Sequence, residues 1–291
     1  MRGARWLIDS LRDKLPFDKS LGQHFLVNDD LIARAVELGN VSPDDHVLEI
    51  GPGPGVLTEV LLATGCKVTA IEIDSVAVTH LNEAFGPEQL TEQLTLLEGD
   101  GLVVKWPDSI TKVVANIPYQ ISSPLIEELT RYLRNPRTCE LERVVLLVQE
   151  EFAERLVMEY ESDVGSLGMT VALDWVSEIE EKIPPHHFSP MPKVNSCYIS
   201  MEPHGEEWAC DARLVRQMIH LAFDQRRKKL RSTLKNVPRR LGRVKGWHAA
   251  RWKQAFAAHL EDERMDLRPD ELELDDWIEL CCSFNEFAFE S

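Results

Sequence analysis

Residues 46–62 read "HVLEIGPGPGVLTEVLL", and the three glycines at the centre organise what lies on either side. "HVLEI" (46–50) is a short β-rich run. "VLTEVLL" spaces its apolar residues as a helix does and leads to a glycine stop at Gly65. The segment is therefore strand, turn, helix. Gly51, Gly53 and Gly55 lack Cβ, so the turn can be sharp and a ligand can approach the backbone closely. A dinucleotide fingerprint places glycine at its first, third and sixth positions. Here the sixth is Val56, and the glycines fall at the first, third and fifth. The turn thus suits a cofactor that lacks a pyrophosphate.

The same alternation continues outward. "KVTAIEID" (67–74), "LTLLEGD" (94–100), "KVVAN" (112–116) and "RVVLLVQ" (143–149) read as strands. Helical patterns fall at "NDDLIARAVELG" (28–39), "VAVTHLNEAF" (76–85), "PLIEELTRYLR" (124–134) and "EEFAERLVMEY" (150–160). Strands alternating with helices predict an α/β fold, a Rossmann-like parallel sheet with helices on both faces. "MTVALDWVSEIEEKI" (169–183) and "NSCYISMEP" (195–203) are expected to be late strands. Beyond "EPHGEE" the patterns are helical: "DARLVRQMIHLAFDQ", "RRKKLRSTLKN", "AARWKQAFAAHL" and "DELELDDWIELCCSF". A boundary near 203–205 gives two domains, 1–203 and a small all-helical C-terminal one, 204–291.

The 291 residues, 44% hydrophobic and 28% charged, have globular composition. No apolar run reaches the ~18 residues of a membrane span. The first residues, "MRGARWLIDSLRDKL", are charged throughout, which fits a short amphipathic helix and no secretory signal. Six cysteines show no metal-ligand spacing, so they are expected to be free thiols in a reducing cytoplasm. His186-His187 lacks further ligands at sensible spacing, and no metal site is expected. The net charge of −17 alone argues against a polyanionic partner. Arg226 to Lys253, however, holds twelve Lys and Arg and no acid, leaving −29 on the rest. Such segregation is an electrostatic footprint for nucleic acid. Trp247 and Trp252 lie inside it, and each can either stack on a base or pack in a core.

The strand ends carry the chemistry. Glu72 closes the second main strand and can hold a ribose diol, as carboxylates do in dinucleotide sites. Asp100 can hold an adenine amino group. With the glycine turn, these features fit S-adenosylmethionine. Asn116 ends the next strand in "NIPYQISSPL". An exocyclic adenine amine is a poor nucleophile because its lone pair is delocalised into the ring. The Asn116 side-chain oxygen and the Ile117 carbonyl can accept its two hydrogens, while Pro118 stiffens the turn at fixed φ. Tyr119 can stack on the base, which must leave its own stack to arrive.

These residues resemble the ribosomal RNA adenine dimethyltransferase family. The resemblance spans "KSLGQHFLVND" (19–29), "EIGPGPGVLTEVLL" (49–62), "IEID" (71–74), "EGD" (98–100), "NIPYQISSPLI" (116–126), "QEEFAERL" (149–156), "FSPMPKVNS" (188–196) and "FDQRRKKLRSTLKN" (223–236). It implies dimethylation of two adjacent adenosines near the 3′ end of small-subunit ribosomal RNA, within an immature subunit. It implies that Gln23, His24 and Leu26 join Gly51, Gly53, Gly55, Glu72, Asp100 and Asn116 around the cofactor. Phe188 would flank the base opposite Tyr119. Lys193 and Arg226, Arg227, Lys228 and Lys229 would contact RNA. A cytoplasmic monomer is expected. Glu150 stands where the family commonly has Lys, which removes a positive charge beside the site. Two other functions compete: an assembly factor for which methylation is secondary, and a methyltransferase acting on a protein glutamine.

Overall fold

A computed structural model of the chain describes residues 2–14, 24–205 and 208–287. Its strands are β1 (Phe25–Leu26), β2 (His46–Ile50), β3 (Lys67–Glu72), β4 (Leu94–Glu98), β5 (Lys112–Asn116), β6 (Arg143–Gln149), β7 (Trp175–Ile183), β8 (Phe188–Ser189) and β9 (Ser196–Pro203). The principal sheet has the order β4-β3-β2-β5-β6-β9-β7. From β4 to β6 every neighbouring pair is parallel, and β9 runs antiparallel to β6. β1 and β8 form a separate antiparallel pair.

The helices are α1 (Ala4–Arg12), α2 (Asp29–Leu38), α3 (Val56–Ala63), α4 (Ser75–Ala84), α5 (Gly86–Leu90), α6 (Ser122–Leu133), α7 (Glu150–Val157), α8 (Ser166–Val171), α9 (Ala212–Phe223), α10 (Leu230–Thr233), α11 (Ala249–Ala258) and α12 (Leu274–Glu286). Local chemistry starts several of them. Asn28 Oδ1 accepts from the Asp30 and Leu31 amides at 3.0 and 3.2 Å, and Asp29 and Asp30 complement the dipole of α2. Asp74 caps α4 through the Val76 amide at 2.9 Å. The central strands are covered on both faces, which explains their nearly continuous Val, Leu and Ile: Val47, Leu48, Val113, Val114, Val145 and Leu146 are fully buried.

The chain divides into two compact units, 1–153 with 176–203, and 154–175 with 204–291. The sequence reading placed 154–175 in the first domain. Residues 166–171 also differ from the expectation, forming a helix where an early part of a strand was read. Met169, Val171 and Leu173 alternate as a strand would, but Met169 and Leu173 are also four apart. Met169 and Leu173 are buried with Leu214, Met218 and Ile219 of α9 in the second unit's core, so tertiary packing chooses the helix. The strand proper begins at Trp175. The "RRKKLRSTLKN" run is helical over only four residues, Leu230–Thr233. Its like charges three and four residues apart disfavour a longer helix.

Candidate active site

The first unit builds a cavity of about 310 Å³. It lies at the carboxyl ends of the parallel strands. From β2 the chain steps outward to β3 and β4, then returns to β5 on the other side of β2. Ligands in open α/β sheets bind at such a reversal. Gly51 follows β2, Glu72 ends β3, Asp100 follows β4 and Asn116 ends β5, and all four line the cavity.

The glycine turn has positive φ at each glycine: 68° at Gly51, 53° at Gly53 and 83° at Gly55. At Gly53 a Cβ would sit 3.0 Å from the Phe25 ring. Its amide is committed elsewhere, donating to Glu72 Oε2 at 2.9 Å. The Asp74 amide donates to Glu72 Oε1 at the same distance. The Glu72 carboxylate is thus fixed by two backbone donors, with a lone pair remaining on each oxygen. Burial raises its pKa above the ordinary carboxylate value, while the two amides pull it back. Asp100 is held in the same manner, Oδ1 accepting from the Leu102 amide at 2.9 Å. Gly55 departs from its expected role: it does not line the cavity and serves as the N-cap of α3. A Cβ there would stand 2.5 Å from Phe85.

Asn116, Ile117, Pro118 and Tyr119 all line the cavity. Asn116 Oδ1 is buried and has no hydrogen-bond partner among the described residues. A buried acceptor left unsatisfied is costly, and this one stands at a cavity wall. Pro118, at φ −59° and ψ 131°, turns the chain into the short helix that begins at Tyr119. The Tyr119 hydroxyl is tied to Ser196 Oγ at 2.7 Å, and burial raises its pKa. His24 stacks on the Tyr119 ring, centroids 6.2 Å apart and planes 24° apart. Its Nδ1 lies 2.8 Å from the Pro190 carbonyl. That oxygen can only accept, so Nδ1 carries the proton.

Leu26 and Phe188 face each other in the β1–β8 pair, and both line the cavity. The small ribbon thereby carries "HFL" and "FSP" to one wall, although 162 positions separate Leu26 from Phe188. Gln23 lies outside the described residues. Lys193 is exposed and is not part of the lining.

The sequence reading assigned no role to Glu49, which also lines the cavity. It is 1% exposed, receives the Thr58 hydroxyl at 2.6 Å and is pushed up to about 8 by burial, with Glu72 adding to the rise. An acid among the apolar residues Val47, Leu48 and Ile50 of a buried strand was the available signal. Ile73 is another missed lining residue, 61% exposed beside Glu72; nothing in its sequence context marks it.

The basic stretch lies in the second unit. Arg226 pairs with Asp270 at 3.0 Å and donates to the Ser162 carbonyl. Lys229 and Arg231 share Asp266, at 3.0 and 2.6 Å. Arg227 and Lys228 are exposed with no ion pair among the described residues. Trp247 and Trp252 are 4% and 0% exposed and belong to the unit's core, so they are packing residues. No group of His, Cys, Asp or Glu among the described residues could hold a metal ion.

A doubly wound sheet with a glycine turn, a ribose-competent carboxylate and an amide-proline-aromatic turn at its switch point defines a class I S-adenosylmethionine-dependent methyltransferase. The residues fit that cofactor: two left-handed glycines in the cavity wall, Gly51 and Gly53, an anchored carboxylate and a buried acceptor without a partner. A family profile described as ribosomal RNA adenine dimethylase matches residues 15–244. Ribosomal RNA small subunit methyltransferase A of Synechococcus elongatus is 35% identical over 283 residues, covering 94% of this chain and 96% of that protein. The protein of the same name from Synechocystis is 38% identical over 242 residues, covering 75% of this chain and 83% of that protein. A dimethyladenosine transferase crystal structure from Plasmodium falciparum superposes with a TM-score of 0.76 at 26% identity, covering 90% of this chain and 98% of that one. The chain belongs to the ribosomal RNA adenine dimethylase family. Among the described residues no helix is long and apolar enough to cross a membrane.

Proposed function

We propose that the enzyme converts two adjacent adenosines near the 3′ end of small-subunit ribosomal RNA to their N6-dimethyl forms, acting on an immature subunit as a cytoplasmic monomer. One observation carries this reading: the unpartnered, buried Asn116 Oδ1 at the wall of a cavity that also holds Tyr119 and Phe188.

Bound S-adenosylmethionine supplies a methyl group activated as a sulfonium. Glu72 holds ribose hydroxyls, Asp100 the adenine edge, and Gly51, Gly53, His24 and Leu26 form the walls around it. Asn116 Oδ1 and the Ile117 carbonyl accept the hydrogens of the target amine, which lets its nitrogen become more tetrahedral. Tyr119 and Phe188 sandwich the flipped base; the Ser196 hydrogen bond fixes the Tyr119 ring before the base arrives. Positioning accounts for most of the rate gain, since the donor already carries the leaving group. Arg227 and Lys228, free of internal ion pairs among the described residues, are better placed to meet phosphate than Arg226 or Lys229.

The test is transfer of labelled methyl groups to immature small subunits, with naked ribosomal RNA alongside and the labelled nucleosides mapped. Dimethyladenosine at two neighbouring positions in the subunit is expected. Label at scattered adenosines, or equal label on naked RNA, overturns the proposed substrate.

A further inference from the structure

Glu150 is the first residue of α7 and follows the last residue of β6 directly. It does not line the cavity, yet it joins β9 and β7 to the end of β6. Its amide donates to the Asn195 carbonyl at 3.1 Å, one step beyond the final register pair of β6 and β9, Gln149 with Ser196. Its Oε2 accepts from the Asn195 side-chain amide at 2.9 Å. Its Oε1 receives Lys182 Nζ of β7 at 2.7 Å. The lysine first, and then the Asn195 amide, hold the carboxyl below its ordinary pKa, so it is ionised at neutral pH and accepts both bonds. The residue after Asn195 is Ser196, fully buried, whose hydroxyl meets that of Tyr119 at 2.7 Å.

We propose that Glu150 is a positioning residue for methyl transfer: it clamps Asn195 by main chain and side chain, and thereby sets the place of Ser196 and of the Tyr119 ring on which the target base rests. The proposal rests on the role given to Tyr119 above. Ser196 is the first residue of β9, where a strand is held from one side only, and Asn195 before it is exposed. What fixes Ser196 on that side is the grip on Asn195, and Glu150 supplies it through two bonds, one of them strengthened by the carboxylate charge.

The same contacts add little to stability. The Lys182 side chain is half-exposed, and ion pairs in that setting contribute weakly. Rate is more sensitive than stability to such a clamp, because small misplacements of a group that orients the substrate slow a reaction steeply. Loss of Glu150 is therefore expected to appear in the transfer step and hardly at all in melting or in cofactor affinity.

The experiment places Glu150→Ala and Glu150→Gln in the full-length protein, each alone and combined with Tyr119→Phe, and measures single-turnover methyl transfer to immature small subunits at saturating S-adenosylmethionine. Tyr119→Phe keeps the ring and removes the hydroxyl through which the clamp acts. Glu150→Ala should slow transfer about fivefold, the scale of one hydrogen bond, with an unchanged Kd for S-adenosylmethionine and a melting temperature close to that of the parent. Glu150→Gln keeps an acceptor for Asn195 and should recover most of the rate. Combined with Tyr119→Phe, Glu150→Ala should cost nothing further, because residues that act through one contact are not additive. Equal fold losses with and without the Tyr119 hydroxyl indicate general damage and overturn the proposal, as does an undiminished rate for Glu150→Ala. A substrate-free measurement runs beside these: the ring proton–carbon NMR signal of Tyr119, assigned by its loss in Tyr119→Phe, should shift or broaden in Glu150→Ala and return in Glu150→Gln. An unmoved signal overturns the proposal. If the wild-type protein transfers no methyl groups to subunits, the substrate reading fails instead, and the Tyr119 signal alone decides for or against the clamp.

Discussion

The cavity of the first unit and the basic stretch of the second were both conspicuous in the sequence, yet they relate to their sequences differently. In the cavity, residues from distant motifs converge and are pinned by short-range bonds: Glu72 by two amides, Tyr119 by Ser196, and the "FSP" segment by pairing with "HFL". In the basic stretch, counting charge overstates the available surface. Arg226, Lys229 and Arg231 are engaged with Asp266 and Asp270, and the two tryptophans are buried in the core. A motif specifies geometry, whereas a composition specifies only an inventory that the fold then spends partly on itself.

The sharpest way to break the comparison is at Asn116. Asn116→Ala removes an acceptor that has no structural partner, so folding should be unaffected. Turnover should fall by about 10²- to 10³-fold, the scale seen when one positioned polar group is lost from a transition state. Single-turnover methyl transfer at saturating donor measures this. A variant with near-normal turnover would remove the role assigned to the amide.

Glu72→Ala should act on binding instead. Two hydrogen bonds to a charged group, at about 1.5 to 3 kcal/mol each, translate into a Kd for S-adenosylmethionine weaker by at least about 100-fold. Titration calorimetry reads it directly. Turnover at saturation should change far less than for Asn116→Ala, which separates holding the donor from preparing the acceptor.

The basic stretch offers a smaller and more graded effect. The double substitution Arg227→Glu with Lys228→Glu should weaken subunit binding about tenfold at moderate salt. It should also make the salt slope shallower by about one for each phosphate the variant no longer neutralises. Melting temperature should hold, because neither residue has an internal partner among those described. Arg226→Glu should lower melting temperature as well, since it places an acid against Asp270. Equal thermal behaviour for both variants would show that the distinction between free and engaged cations is empty.

Most of the sheet was legible because its strands are short, apolar and bounded by glycine or acid, as in "HVLEIGPG" and "LTLLEGD". The cavity was legible through motifs that end those strands. What remained hidden depended on packing between distant segments. The alternation of Met169, Val171 and Leu173 pointed to a strand until α9 was there to receive a helix. Gly55 looked like a ligand contact, yet the crowding is with Phe85, behind the turn. The contact of Cys210 with α12, its Sγ donating to the Ile278 carbonyl at 3.8 Å, has no local signature at all. Glu49 was visible in the glycine motif, but its consequence depends on how deeply it is buried.

That burial gives the most subtle test. Glu49 is held at about 8 in the folded chain and titrates at about 4.3 when unfolded. Between those values the folded state binds the extra proton, so stability declines as pH rises. The contribution is fully present below the unfolded value and lost once pH passes the folded one. Glu49→Gln keeps the shape and can accept from Thr58, but it does not titrate. Denaturant midpoints across pH 4 to 9 should therefore decline less steeply in the variant, with the two proteins diverging most at the alkaline end. Glu72, also raised by burial, keeps a residual slope in both. If the two profiles stay parallel, the Glu49 carboxyl is ionised in the folded protein, and the cavity holds one more negative charge than the geometry assigns to it.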